Sequence, residues 1–104
     1  MSYFSTGYIN SDNNLTTSGY QGYQYLLIDA SSNNVNITLS SDMLWNGQVF
    51  EFQRVDSVAT NTCSLIAANG TTVNGSSSLN IPINSYCSIV YWNGDWKAMV
   101  LQSV

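Results

Sequence analysis

The chain has 104 residues, enough for one domain with a small core, because a monomer of this size buries only roughly 60–70% of the surface its unfolded chain exposes. Charge is scarce: two basic and six acidic side chains, no histidine and a formal net charge of −4. That balance excludes the electrostatic footprint that nucleic acid or an anionic membrane surface demands, and no apolar run approaches the roughly 18 residues of a membrane-spanning helix.

The material for a fold is present, with 44% hydrophobic residues including three Trp, seven Tyr and three Phe. Ser, Thr and Asn occupy 37 of the 104 positions, so the surface is polar without being charged, as in structural and adhesive β-proteins. The opening MSYFSTGYIN lacks the basic start and apolar stretch of a signal peptide.

Along the chain no helical period appears. Short runs of β-branched and aromatic residues alternate instead with clusters of Ser, Asn and Gly, the pattern of an all-β sandwich or barrel. Residues 1–22, rich in Tyr, Ser, Gly and Asn, read as an irregular lead-in with at most one strand, the possible end of a stalk, ahead of a sandwich domain over 23–104. YQYLLIDA at 23–30 predicts the first firm strand; SSNN at 31–34 turns the chain and VNITL at 35–39 returns it. Val35, Ile37 and Leu39 fall on one face of that return strand, Asn36 and Thr38 on the other.

SSDMLWNG at 40–47 is a connection with room for one helical turn capped by Ser41 or Asp42. QVFEFQRVD at 48–56 places Phe50 and Phe52 on one face and Val49, Glu51, Gln53 and Val55 on the other. Glu51 then faces solvent or pairs with Arg54 or Lys97. CSLIAA at 63–68 puts Cys63, Leu65 and Ala67 on one side. Asn69-Gly70 and Asn74-Gly75 suit positive φ, and the sole proline, Pro82, marks an edge near LNIPI.

The final segment, YCSIVYWNGDW, carries a two-residue turn signal at Asn93-Gly94. That loop sets Trp92 opposite Asp95, Tyr91 opposite Trp96, Ile89 opposite Ala98 and Cys87 opposite Val100. One face becomes Cys87, Ile89, Tyr91, Trp96, Ala98 and Val100, a core; the other holds Ser88, Val90, Trp92, Asp95, Lys97 and Met99.

Both faces of several strands are therefore apolar. Tyr25 and Leu27 oppose Leu26 and Ile28; Val49 and Val55 oppose Phe50 and Phe52; Val90, Trp92 and Met99 oppose the hairpin's core face. A two-layer sandwich buries one face per sheet, which leaves apolar surface for contact between copies. Tyr25, Leu27, Val90 and Met99 are the expected interface residues.

The chemistry of catalysis finds little footing. Without histidine, Ser-His and Cys-His nucleophiles are excluded, and Asp29 and Asp56 fall at strand ends, where Asp satisfies backbone donors. No enzymatic activity, cofactor or metal site is expected. Cys63 and Cys87 lack metal spacing and read as two buried thiols, with a single disulfide as the alternative. NSDNN at 10–14 offers oxygen ligands with one charge, too few for calcium. The four Asn-x-Ser/Thr triplets, at Asn14, Asn36, Asn69 and Asn74, are the coincidences that an Asn/Ser/Thr-rich chain produces.

The succession YQYLLIDASSNNVNITLSS, NGQVFEFQRVDSVATNTCSLIAANGTTVNGSSSLNIP and SYCSIVYWNGDWKAMV resembles the small all-β head domains at the tips of bacteriophage tail fibres and related viral fibres. Leu27-Ile28-Asp29-Ala30, Asn34 to Leu39, Gly47 to Asp56, Asn61 to Gly75, and Ser88 to Val100 with the terminal Trp96 carry it, over about residues 23–101. Each piece alone is weak; their order is the signal. The Asn- and Tyr-rich bias fits an AT-rich genome, such as those of large DNA viruses of protists and their virophages. The resemblance implies a trimeric, jelly-roll-like antiparallel β-sandwich at the virion surface, whose partners are two further copies and a host cell-surface receptor. It transfers no catalytic residue.

For a carbohydrate receptor, exposed aromatic rings that stack on a sugar's C–H face are the expected contacts: Trp45, Trp92, Tyr20 and Tyr23. Burial between subunits is the competing role for each, and for Trp92 above all. A domain that only trimerises and caps a fibre or collagen-like stalk is the second reading.

Overall fold

Ten strands and no helix form among the described residues of the computed structural model, which are 6–15, 23–39, 46–68 and 70–103. They are β1 Thr6–Ile9, β2 Asn13–Leu15, β3 Tyr23–Ile28, β4 Val35–Leu39, β5 Val49–Arg54, β6 Cys63–Ala67, β7 Thr72–Val73, β8 Ser78–Asn80, β9 Ser85–Trp92 and β10 Asp95–Gln102. Two sheets pack face to face: a six-stranded one in the order β1-β3-β5-β9-β10-β7 and a four-stranded one in the order β2-β4-β6-β8.

The expectation of an antiparallel sandwich is corrected by the pairing. β1, β3 and β5 run parallel in the larger sheet, and β2, β4 and β6 run parallel in the smaller. The chain alternates between sheets strand by strand, so residues 31–34 carry it across the core as an arch instead of folding it back as a hairpin. Thr6 lies beside Tyr25 and Tyr23 beside Val49 in one sheet; Asn13 lies beside Ile37 and Val35 beside Cys63 in the other. The first six strands are thus successive turns of a flattened coil. Antiparallel strands finish it: β8 against β6, β9 against β5, and the hairpin partner β10 against β9. β7 then adds to β10 in parallel.

The described residues of the lead-in form two strands. β1 and β2 are edge strands of the two sheets, and Ile9 belongs to the core. Gly7 leaves room where β1 meets β3, because a Cβ there would lie 2.6 Å from Leu26 Cδ2 and the Leu26 side chain would have to shift. Of the connection at 40–47 that has room for one helical turn, residues 40–45 lie outside the described residues.

The core follows the alternation. Leu26, Ile28, Phe50, Phe52, Cys87, Ile89 and Trp96 from the larger sheet meet Val35, Ile37, Leu39, Cys63 and Leu65 from the smaller, all buried. Aromatic contacts thicken its centre, with ring centroids of Phe50 and Trp96 5.7 Å apart and of Tyr91 and Trp96 5.2 Å apart, the latter edge to face. The hairpin forms with the pairings that its turn dictates, from Trp92 with Asp95 to Cys87 with Val100. Asn93 and Gly94 both take positive φ, 50° and 86°, as a type I′ turn requires.

Candidate functional site

The outward face of the larger sheet is a wall of side chains in register. One row runs Tyr25, Glu51, Ser88, Met99; the next runs Leu27, Gln53, Tyr86, Leu101, with Tyr8 beside Leu27; a third runs Val49, Val90, Lys97. Tyr8, Trp92, Met99 and Leu101 are each more than half exposed. Tyr25, Leu27, Val49 and Val90 are half-buried by their neighbours alone. A shallow groove of about 290 Å³ runs over Ser88, Val90, Lys97, Ala98 and Met99. All four residues expected at a contact between copies, Tyr25, Leu27, Val90 and Met99, thus lie on this one face.

Charge on the wall is sparse. Lys97 Nζ lies 2.8 Å from Asp95 Oδ2 on its own strand. Of the alternatives for Glu51, the pairing with a cation does not form: Arg54 is three residues away and so on the opposite, buried face of β5, and Lys97 is held by Asp95. The Tyr25 hydroxyl donates to Gln53 Oε1 at 2.9 Å, which fixes one ring across the sheet.

The outer face of the smaller sheet is different in kind. Asn36, Ser64 and Asn80 form one row and Thr38, Ile66 and Ser78 the next. Amides and hydroxyls cover it, interrupted by Ile66. The two faces of one sandwich therefore prefer unlike environments: the smaller sheet is satisfied by water, while the larger presents apolar area that water does not favour.

Trp92 stands at the hairpin tip, 54% exposed. Beside it the turn is clamped from across the chain: Asn46 Nδ2 donates to Asn93 Oδ1 at 3.0 Å, and Asn93 N–H donates to Asn46 Oδ1 at 2.8 Å. No signal in the sequence marks this pair among so many asparagines. Of the other rings expected to touch a sugar, Tyr20 and Trp45 lie outside the described residues. Tyr23 begins β3 beside Val49.

At the carboxyl ends of β1, β3 and β5 the arches between the sheets stack on one another. The residues that precede β2 and β4, Asp12 and Asn34, each fasten their arch to the next turn of the coil. Asp12 Oδ1 accepts from Asn36 N–H at 2.9 Å, and Asn34 Oδ1 accepts from Thr62 N–H at 2.9 Å. Asn33 Nδ2 reaches Asn10 O at 3.4 Å. Between the first two arches lies an open cleft of about 410 Å³ lined by Ser11, Asp12, Asn33 and Asn34. In the sequence NSDNN stands out only as oxygen ligands with too little charge for calcium, and nothing there joins it to the second arch.

On the wall side of the same end, the Tyr8 hydroxyl donates to Asp29 Oδ2, and Ser31 N–H donates to Asp29 Oδ1 at 3.0 Å. These bonds, the Tyr8 one foremost, hold the Asp29 carboxyl below its usual range and push the Tyr8 phenol above its own. Asp29 and Asp56 both satisfy backbone donors, Asp56 those of Ala30 and Val58. Cys63 and Cys87 are free buried thiols. Burial raises them to about 11 and about 12, so neither is a nucleophile near neutral pH.

Comparison with known protein families, with curated proteins and with solved structures finds no match to this chain.

Proposed function

We propose that this protein is a non-catalytic viral fibre head that attaches to a host cell-surface receptor, a glycan, as a homotrimer displayed at the virion surface. The observation that carries the reading is the contrast between the two outer faces of the sandwich. Amides and hydroxyls suit one face to water, whereas Tyr25, Leu27, Val90 and Met99, with Met99 and Leu101 more than half exposed, suit the other to burial against further copies. Three heads on one fibre multiply weak single contacts without adding new ones. A surface of Ser, Thr and Asn offers hydrogen bonds to sugar hydroxyls, and Trp92 offers a ring at the hairpin tip.

A second reading has its own support. Antiparallel strands β8, β9 and β10 terminate a stack of parallel turns, as terminal units do in repetitive β architectures. A domain that only trimerises and caps a stalk would use the same wall.

The test is the solution mass by light scattering at micromolar concentration. Three times the chain's 11.4 kDa is the expected value, and Val90→Asp with Met99→Asp is expected to give single folded chains. A stable monomer of the unsubstituted protein overturns both readings. Labelled trimer that stains host cells selects attachment over capping.

A further inference from the structure

The geometry points to a neutral-saccharide site in the cleft between the β1–β2 and β3–β4 arches, with Asp12, Asn33 and Asn34 as its polar contacts; it rests on the attachment reading above. What sets this cleft apart is how its side chains are held. Each of the three spends one polar atom on the backbone and keeps another for a ligand. Asp12 accepts the Asn36 N–H through Oδ1 and keeps Oδ2. Asn34 accepts the Thr62 N–H through Oδ1 and keeps its NH₂. Asn33 donates through Nδ2 to Asn10 O and keeps Oδ1. Ser11 adds a hydroxyl to the lining.

Two acceptors, a donor and a hydroxyl thus line the cleft, and the Asp12 and Asn34 side chains are already held by their 2.9 Å backbone bonds, which lowers the ordering cost of binding. A sugar hydroxyl both donates and accepts, so adjacent hydroxyls on a pyranose ring match such a mixed array.

Chemistry narrows the ligand class further. A divalent cation needs several convergent oxygens with more than one charge, and Asp12 is the one acidic group among the described lining residues. An anion would meet that carboxylate with no cation to offset it, since Arg54 is bound to Asp56 and Lys97 to Asp95. An apolar ligand would strand four polar side chains. Tyr8, 59% exposed on the strand that leads into this loop, is the exposed ring nearest along the chain, with its hydroxyl held by Asp29.

The experiment is a titration of ¹⁵N-labelled protein with neutral disaccharides of glucose, galactose, mannose and N-acetylglucosamine, without added calcium. Amide shifts are expected at residues 10–12 and 33–36. Asp12→Asn keeps an acceptor for the Asn36 N–H but turns the free acceptor into a donor, so it should weaken binding by about tenfold while leaving thermal stability unchanged. Asn33→Ala should weaken it similarly and serves where Asp12→Asn perturbs the fold. Shifts that map elsewhere, binding that appears only with calcium, or no shift with any of these sugars each overturn the site. Host-cell staining separates this from the attachment reading. If the unsubstituted head and Asp12→Asn stain equally, the cleft is refuted and attachment stands; if the unsubstituted head neither stains cells nor shifts with sugar, both fall.

Discussion

Arg54 and Asp56 meet inside the molecule, with Nε 3.0 Å from Oδ1 and Nη2 3.1 Å from Oδ2. Neither charge is left with a spare face. Arg54 also donates to the carbonyls of Ile81, Val58 and Asn61, while Asp56 accepts the N–H groups of Ala30 and Val58. One ion pair therefore ties the ends of β3 and β5 to the loop before β6 and the segment after β8. Burial alone would raise the Asp56 carboxyl, but the Arg54 guanidinium and the two N–H groups reverse this and hold it below the usual value.

Removal of one partner leaves the other charge buried and unpaired. Arg54→Met is expected to destabilise the fold by about 3–5 kcal/mol, read as a lower urea midpoint with little change in slope. Arg54→Lys keeps the charge but loses the two-pronged contact and most of the carbonyl bonds, so it should recover only part of that loss. Full recovery with Lys would refute the clasp.

Asp95 makes stability depend on pH in the acid range. The Lys97 ammonium first, then the Thr72 hydroxyl and the Gly75 N–H, hold its carboxyl at about 2. Its folded value lies below its unfolded value of about 3.9. The stabilisation is therefore fully present above the unfolded value and is lost as pH falls from about 4 to about 2. Asp29 and Asp56, also lowered, add to the same limb. Urea midpoints measured across that window should fall, and should fall less steeply in Asp95→Asn. Identical slopes for the two proteins would count against the assignment.

Gln48 is fully buried, yet neither its Nε2 nor its Oε1 has a hydrogen-bond partner among the described residues. The backbone there is well used, since Tyr91 N–H donates to Gln48 O at 2.9 Å. The side chain alone carries the cost of unmet polarity, about 1–3 kcal/mol. Gln48→Met, of similar length, should raise the thermal midpoint; a drop would show that the amide has a partner that matters.

The two thiols offer a check on the core. With Cys63 and Cys87 held protonated by burial, an aromatic disulfide reagent at pH 8 should find almost no reactive thiol in the folded protein and two per chain in denaturant. A total of none in denaturant would indicate a disulfide instead.

Legibility was greatest where one local rule acted alone. Asn93-Gly94 specified the turn, the turn specified the register, and the register assigned Trp96 to the core and Trp92 to the surface. The same parity set Tyr25, Leu27, Val90 and Met99 opposite the core-facing residues of their own strands; the sheet order then gathered them on one outward face. Parity also places Glu51 and Arg54, three residues apart, on opposite faces of β5, which rules out the pairing that was one of the alternatives for Glu51. The cleft was harder to see, because Asp12 and Asn34 come together only when two arches of different turns stack. Composition offered no reason to single out those two from the other polar loop residues.

Alternation at a period of two states which side of a strand is buried, and the chain alone determined that for β4 and β6 and for the last hairpin, together with the strand-rich class. It does not state which strand lies alongside, because a buried face is equally well covered in parallel or antiparallel company. Four polar residues at 31–34 serve a reversal and a crossing alike. Only the assembled molecule chose the crossing: β3 packs beside β5 and β4 beside β6, with the core filled between them. That choice made parallel turns out of what reads locally as a meander, and it brought the arches together at one end.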